Sequence, residues 1–307
     1  MHVHANHGGH DAGLDRRLRI SLWVTAAFIV VEFAAGIRAN SLALLSDAGH
    51  NFTDALALGL ALFAHRIGSL PPSASKTYGY KRAGVLAAFV NALVLVALSL
   101  FIFWESYDRF LNPREVQDTI MLAIAGAGLV VNLVVMKALH GDSHRDLNVR
   151  GAYMHMLGDA LSSVGIIIGA LVIRQTRALW IDPLLSVLIG VLIIWSAWDI
   201  IRESLDILLE GAPRGIQLEK VSQALREVEG VIDIHDLHIW SLSSADHALS
   251  CHALIEDMPP SASSVILERI QALLLQNFSI CHATVQFEHI ECCGAQEICS
   301  ETASHSS

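Results

Sequence analysis

Residues 41–64 read SLALLSDAGHNFTDALALGLALFA, an apolar run that is interrupted near its middle by histidine and aspartate. At ~1.5 Å per residue, a helix of this length crosses a hydrocarbon core of ~30 Å, so the run predicts a membrane-spanning helix. His50 and Asp54 are four residues apart and therefore project from one face of that helix. A carboxylate at such a depth costs ~2.5–3.5 kcal/mol on insertion scales, which indicates a function and a binding partner for it.

Five more segments have the same apolar character: residues 20–37, 83–104, 119–136, 152–173 and 184–201. A buried helix of a soluble protein would explain any one of them. Six of them, in a chain with 53% hydrophobic and 16% charged residues, favour a lipid bilayer as the solvent. The sequence therefore predicts a polytopic α-helical membrane protein with six transmembrane helices.

Lysine and arginine are concentrated in alternate loops, and cationic loops stay on the cytoplasmic side of a membrane. These residues are Arg16, Arg17, Arg19, Arg66, Lys76, Lys81, Arg82, Lys137, Arg145 and Arg150. Both termini are thus expected in the cytoplasm, and the short loops favour a bacterial plasma (inner) membrane. The first residues, MHVHANHGGHDAG, lack the apolar core of a signal peptide, so the first helix is expected to be its own insertion signal. The formal charge of -10 argues against nucleic acid as a partner.

Charged residues return after the sixth apolar segment, which predicts a cytoplasmic domain over residues 205–290. Its periodicity predicts a helix over 216–229, strands over 231–240 and 247–255, a helix over 261–278 and a strand over 282–290. This order predicts an α+β open-faced sandwich, ferredoxin-like or metallochaperone-like, with the helices on one side of an antiparallel sheet. The remaining parts are a histidine-rich tail (1–15), the six-helix membrane domain (16–204) and a flexible tail containing cysteines (291–307).

The fifth apolar segment repeats the motif of the second. Its run YMHMLGDALSS places His155 and Asp159 at the same four-residue spacing as His50 and Asp54. Two imidazole nitrogens and two carboxylate oxygens form a tetrahedral set that suits zinc, whereas magnesium, calcium and manganese favour more oxygen ligands. Without the ion, two neighbouring anions would favour proton uptake, so metal and protons should compete. The alternative is that each pair is a hydrogen bond that locks neighbouring helices.

The runs LLSDAGHNFTDA, YMHMLGDALSS, WIDPLLSVLIG, LLEGAP and HDLHIWSL together resemble the cation diffusion facilitator family, in its zinc-transporting subgroup. The resemblance extends from about Arg17 to Glu288. It implies a homodimeric zinc/proton antiporter, not an enzyme, whose transport site uses the residues matching His50, Asp54, His155 and Asp159. The retention of both histidines favours zinc as the substrate, with cadmium tolerated.

The cytoplasmic domain offers a second set of ligands. The strand periodicity predicts an open sheet face for one or two zinc ions, with His235 beside Asp233 and Leu237, and His252 beside Ser250 and Leu254. The predicted ligands are His235, His252, His282 and Glu288. The resemblance adds that related transporters bind zinc near HDLHIW, near the histidine of the second strand and at the glutamate that ends the third. Metal binding is left open for Cys292, Cys293 and Cys299, and for His2, His4, His7 and His10.

Other polar residues of the helices carry weaker signals. Asp47 either lines the exit path or shuttles protons, or else it is a solvated residue at the start of a helix. Glu32, Asn91, Asn132 and Asp199 could each line a cavity, but single polar residues of this kind more often mediate helix contacts. Arg82 and Glu210 match a charge interlock of the family, and the alternative is a surface pair of little energetic weight.

These observations predict proton-coupled efflux of zinc from the cytoplasm by alternating access, with protons as the counter-substrate and the lipid bilayer and a second copy as partners. The chain has no GxxxxGK[ST] loop for ATP. A membrane-embedded metallohydrolase is a rival, but it would need an open coordination position and a general base such as HExxH provides. A zinc sensor without transport is the second rival.

Overall fold

A computed structural model describes residues 8–68, 70–139, 147–243 and 246–290 of the 307-residue chain. The chain divides into two compact units. One comprises Met1–Gly59 and Asn91–Asp199, and the other comprises Leu60–Val90 and Ile200–Ser307. The helices are α1 (Gly8–Ala39), α2 (Leu42–Gly68), α3 (Ala83–Leu111), α4 (Asp118–Leu139), α5 (Leu147–Thr176), α6 (Ile181–Leu208), α7 (Leu218–Arg226) and α8 (Pro260–Phe278), and the strands are β1 (Asp233–Ser241), β2 (His247–Leu254) and β3 (Ile280–Glu288).

The six long helices α1 to α6 cover the six apolar segments predicted from the sequence. In the described part of the chain, four stretches are long and apolar enough to cross a membrane: Ala83–Leu111, Asp118–Lys137, Tyr153–Thr176 and Ile181–Leu208. Many of their large apolar side chains are exposed, as in Trp195 (73%) of α6. Lipid is the solvent that accepts such surfaces, because water would favour their burial.

In the first unit, a tight turn connects α1 with α2, and α4 packs against both α5 and α1. Asn40 adopts a left-handed conformation (φ 52°), and the Ser41 amide donates to the Gly36 carbonyl over 3.1 Å. This turn places the start of α2 directly after the end of α1. The turn therefore sets the position of His50 and Asp54 along the helix axis relative to the end of α1.

A carboxylate from another helix caps the start of α2. Asp182, in the first turn of α6 and fully buried, accepts hydrogen bonds from the Ser41 hydroxyl (2.6 Å) and the Leu42 amide (2.7 Å). Arg109 of α3 lies 3.5 Å from the same carboxylate and donates to the Asn40 carbonyl over 2.7 Å. The amides at a helix start lack partners within the helix, and an anion there is favoured by the helix dipole. Asp182 thus connects α6 and α3 to the beginning of α2.

The part of the second unit after α6 is an open-faced α+β sandwich, as predicted, and its strand order is β1-β2-β3. One side of the sheet packs against α7 and α8 through a core that includes Leu225, Ile234, Leu249, Ile270 and Leu274. The prediction of a wholly antiparallel sheet is wrong. Strands β1 and β2 pair antiparallel, but β2 and β3 pair parallel, because α8 carries the chain back before β3 begins.

Candidate functional site

The two membrane motifs lie side by side in the first unit. Asp54 Oδ2 is 3.5 Å from His50 Nε2 on its own helix and 3.4 Å from His155 Nε2 on α5. His155 Nε2 is in turn 3.5 Å from Asp159 Oδ2. The structure therefore brings together all four residues that the sequence singled out, with Asp54 and His155 in the middle of the chain of contacts.

These separations bear on the hydrogen-bond alternative. Protein hydrogen bonds between nitrogen and oxygen span ~2.7–3.2 Å. Ligands ~2.0–2.1 Å from a tetrahedral zinc ion stand ~3.3–3.4 Å from one another, by simple geometry from the known bond lengths. In the part of the chain that the structure describes, Asp54 Oδ2 and His50 Nδ1 are buried without a hydrogen-bond partner. A buried polar atom normally has a partner, and Asp54 Oδ2 lies 3.4–3.5 Å from two imidazole nitrogens, so these three side chains could share a cation.

The cytoplasmic domain holds a tighter cluster on the open face of its sheet. The ligand atoms of His235, His252 and Glu288 all lie within 4.8 Å of one another. Glu288 Oε2 is 3.1 Å from His235 Nε2, and Glu288 Oε1 is 3.0 Å from His252 Nδ1. Although His235 Nε2 and Glu288 Oε2 are 3.1 Å apart, their angles are not those of a hydrogen bond, and neither atom has another hydrogen-bond partner among the described residues. Two nitrogens and a carboxylate are the donors that zinc accepts, so these three residues could hold such an ion.

A β-bulge in β1 shapes this cluster. His235 pairs with His252 and His238 pairs with Ser250, so two residues of β1 stand opposite Cys251 alone. Asp236 in the bulge has a left-handed conformation (φ 51°), which aspartate tolerates better than most residues. The bulge turns Leu237 into the core, so the prediction that Leu237 shares a face with His235 is wrong. The alternation predicted for β2 and β3 agrees with the observed burial.

The bulge also brings forward a residue that the sequence analysis missed. Asp236 Oδ2 is 3.6 Å from His252 Nε2, and its Oδ1 is 3.0 Å from His238 Nε2. This second carboxylate lies beside the cluster, at the ring nitrogen of His252 that does not face Glu288. In the sequence, Asp236 directly follows His235, the first histidine of HDLHIW. In a regular strand these two side chains would point to opposite faces, so the sequence did not indicate that Asp236 lies beside the cluster.

The fourth predicted ligand, His282, and the nearby thiol of Cys251 have different surroundings. His282 stands six residues before Glu288 on β3, about 20 Å away at ~3.3 Å per residue, and its ring lies 5.2 Å from that of Tyr78. It is not part of the cluster. Cys251 is 2% exposed within the core, and burial raises the pKa of its thiol to about 12, which keeps it protonated and a poor metal ligand.

Several predicted positions fall outside the described residues. These are Cys292, Cys293, Cys299, His2, His4 and His7, together with the side chain of His10.

Arg82 and Glu210 form an ion pair in the second unit. The guanidinium Nη2 is 3.1 Å from Glu210 Oε1 and also donates to the Ser241 carbonyl over 3.5 Å. Beside it, Lys81 Nζ lies 3.1 Å from Asp246 Oδ2. Two basic residues directly before α3 thus contact the segment after α6 and the turn between β1 and β2.

Both parts of the chain match domains of a known protein family. The sequence matches the cation efflux transmembrane domain over residues 18–209 and the cytoplasmic domain of cation efflux proteins over residues 213–290. The chain belongs to the cation efflux family. Members of this family are transporters, so the protein is a membrane transporter and not an enzyme.

Relatives of this cation efflux protein align along nearly its whole length. The "Zinc transporter ZitB" of Pectobacterium atrosepticum is 42% identical over 94% of this chain and 89% of its own. The "Cadmium, cobalt and zinc/H(+)-K(+) antiporter" of Bacillus subtilis is 40% identical over 91% of each chain. A solved structure, the metal-bound C-terminal domain of the CzcD transporter from Cupriavidus metallidurans, is 33% identical over 24% of this chain and 99% of its own, with a TM-score of 0.22.

Proposed function

We propose that this cation efflux protein exports zinc, with cadmium as a second substrate, from the cytoplasm in exchange for protons. The ion binds between α2 and α5 at His50, Asp54, His155 and Asp159. The observation that carries the proposal is the position of Asp54 Oδ2, 3.4–3.5 Å from a histidine nitrogen on each of two helices. The names of the relatives, a zinc transporter and a cadmium, cobalt and zinc antiporter, support the same class of substrate.

The charges of this set explain an exchange of metal for protons. Two carboxylates cancel the charge of one divalent ion, so the loaded site is neutral in a low-dielectric interior. When the ion leaves, two anions and two imidazoles remain close together and favour protonation. The membrane quartet, as we call His50, Asp54, His155 and Asp159, therefore holds either metal or protons.

Transport then takes place across a bacterial inner membrane, by a homodimer with cytoplasmic termini. The lysines and arginines of alternate loops support this orientation, and the match to the cytoplasmic domain of cation efflux proteins, named as a dimer domain, supports the dimer. Four protein ligands close a tetrahedral coordination sphere, which suits carriage and leaves no position for a reactive water. The cytoplasmic cluster of His235, His252 and Glu288 would hold zinc as a regulatory ion and stabilise the transport-competent form.

The test is zinc uptake into inverted membrane vesicles with an imposed pH gradient. We expect Asp54→Ala and Asp159→Ala to lower the initial rate at least about tenfold, since loss of even an outer-shell partner of a metal site costs ~10–100-fold. Asp199→Ala is the matched control, because Asp199 is an exposed carboxylate of α6 away from the quartet. Equal uptake by the parent and both quartet variants, at equal protein levels, would overturn the proposed site.

A further inference from the structure

A second pair of carboxyl groups lies buried beside the membrane quartet. Glu32 of α1 is 1% exposed and Asp47 of α2 is 3% exposed. Their side chains hydrogen-bond to each other. Glu32 also accepts from Asn51 Nδ2 over 3.3 Å, and Asp47 accepts from the Ser162 hydroxyl over 2.6 Å. The pair thus connects α1, α2 and α5, and among the described residues none of its hydrogen bonds involves a quartet residue.

Burial and close contact of these two carboxyl groups favour a proton on one of them. An ionised carboxylate has no hydrogen to donate, so a hydrogen bond between two carboxyl groups exists only when one of them is protonated. Two like charges in contact and shielded from water are also strongly disfavoured. The ionisable groups that face the pair are His50 on α2 and Asp159 on α5. On α4, which packs against α1, the charged side chains in the described part are Asp118 and Lys137, near its two ends.

The position of the pair couples it to the metal. Asp47 precedes His50 by three residues on α2, and its hydrogen-bond donor Ser162 follows Asp159 by three residues on α5. Asp47 and Ser162 therefore each lie about one helical turn from a quartet ligand. A divalent ion in the quartet would repel a proton held at this distance through a medium of low dielectric constant. Departure of the ion would favour the return of the proton.

We propose that Glu32 and Asp47 form a proton-binding site that is separate from the metal ligands and releases its proton when zinc occupies the membrane quartet. The inference rests on the proposed function. In this scheme the metal and one of the exchanged protons bind at different residues. The quartet binds the metal, and the carboxyl pair binds the proton. Each zinc ion bound then displaces one proton more than the quartet alone releases.

The experiment measures proton release per zinc ion bound by the full-length protein in detergent, in weakly buffered solution near pH 7. A Glu288→Gln background removes the contribution of the cytoplasmic cluster. We expect Glu32→Gln and Asp47→Asn each to bind zinc and to release up to one proton fewer per ion than the parent. Asp199→Asn, at an exposed position of α6, should match the parent. Unchanged proton release in Glu32→Gln, with zinc binding retained, would overturn the inference.

A second measurement covers the case in which a variant fails to fold. In the parent, an infrared difference spectrum on zinc addition should show the loss of a protonated carboxyl band, and Ser162→Ala should shift that band. A parent spectrum without such a loss contradicts the carboxyl pair. Asp54→Ala separates the two proposals: if it leaves zinc binding and proton release intact, the quartet itself fails, whereas a failure confined to Glu32→Gln leaves the quartet standing.

Discussion

Glu288 contacts two imidazoles at once, although the residues it joins are far apart in the sequence. The hydrogen bond from Gln286, and after it the charges of His252 and His235, lower the pKa of this carboxyl group. A group whose pKa is lowered in the folded protein stabilises that state above its unfolded pKa, and the contribution disappears as the pH falls through the lowered value. Glu288 is therefore an anion at neutral pH, ready for a cation.

Substitution of Glu288 tests whether the cytoplasmic cluster binds metal. We expect zinc to raise the thermal midpoint of the parent, since an ion at 100 times its Kd adds about 2.7 kcal/mol to folding stability. Glu288→Gln should lose most of this rise, and chelation of zinc from the parent should have the same effect.

Thr284→Ala is the control for this measurement, because Thr284 lies on the same face of β3 but outside the cluster. The idea of a cytoplasmic metal site would be abandoned if zinc raised the midpoint of Glu288→Gln as much as that of the parent.

The same residues show what the sequence can and cannot predict at this scale. The four-residue spacing of a helix dictates that His50 and Asp54, and likewise His155 and Asp159, share a face. That the two faces meet depends on how α2 and α5 pack, which the repeated motif suggested but did not determine. Asp236 was missed because one left-handed residue breaks the two-residue period of a strand. His282 was misplaced because its face was predicted correctly but its distance along β3 was ignored.

The first turn of α2 is stabilised by a residue of a different helix. Its free amides are satisfied by Asp182, which lies about 140 residues later in the sequence. The motif WIDPLLSVLIG pointed to a family resemblance, but no local pattern shows which helix an aspartate will cap. The parallel pairing of β3 was missed for a related reason: it follows from the crossover through α8, a feature of the connection and not of the strand.

Removal of the Asp182 carboxylate should destabilise the membrane domain. Loss of a helix cap costs ~0.5–2 kcal/mol. Arg109, which is 6% exposed, would lose one of its two carboxylate partners but keep Glu105, which lies 3.0 Å from its Nε. We expect Asp182→Ala to lower the thermal midpoint of the detergent-solubilised protein by several degrees, and Asp182→Asn to lower it less, because the amide oxygen still accepts a hydrogen bond.

Asp118→Ala is the control for this prediction, since Asp118 starts α4 at a half-buried position, whereas Asp182 is fully buried. Equal midpoints for Asp182→Ala and Asp118→Ala would contradict the role of Asp182 as a cap in trans.

The division into a membrane domain and a cytoplasmic domain can be predicted from hydropathy and charge along the sequence alone. The change in hydropathy near residue 205 reflects the two solvents that the chain meets. The pairing of Arg82 with Glu210 was predicted only through resemblance, because charged residues in separate loops have many available partners.

A charge swap tests how strongly this pair holds the second unit together. Arg82 and Glu210 are 34% and 65% exposed, so solvent screens their attraction and we expect a coupling of at most ~1 kcal/mol. The measurement is a double-mutant cycle of thermal stability with Arg82→Glu, Glu210→Arg and the combined swap. The coupling should fall as salt is added. A value above about 2 kcal/mol would contradict a surface pair and favour the interlock.

The parallel pairing of β3 with β2 has a consequence for biosynthesis. Glu288 belongs to the last strand, which can dock only after α8 has emerged from the ribosome and folded back. The two imidazoles of β1 and β2 are made earlier, yet they lack their shared carboxylate until β3 has been synthesised. A nascent chain therefore cannot assemble this donor set before α8 and β3 are made, and any metal captured there reports that β3 has docked.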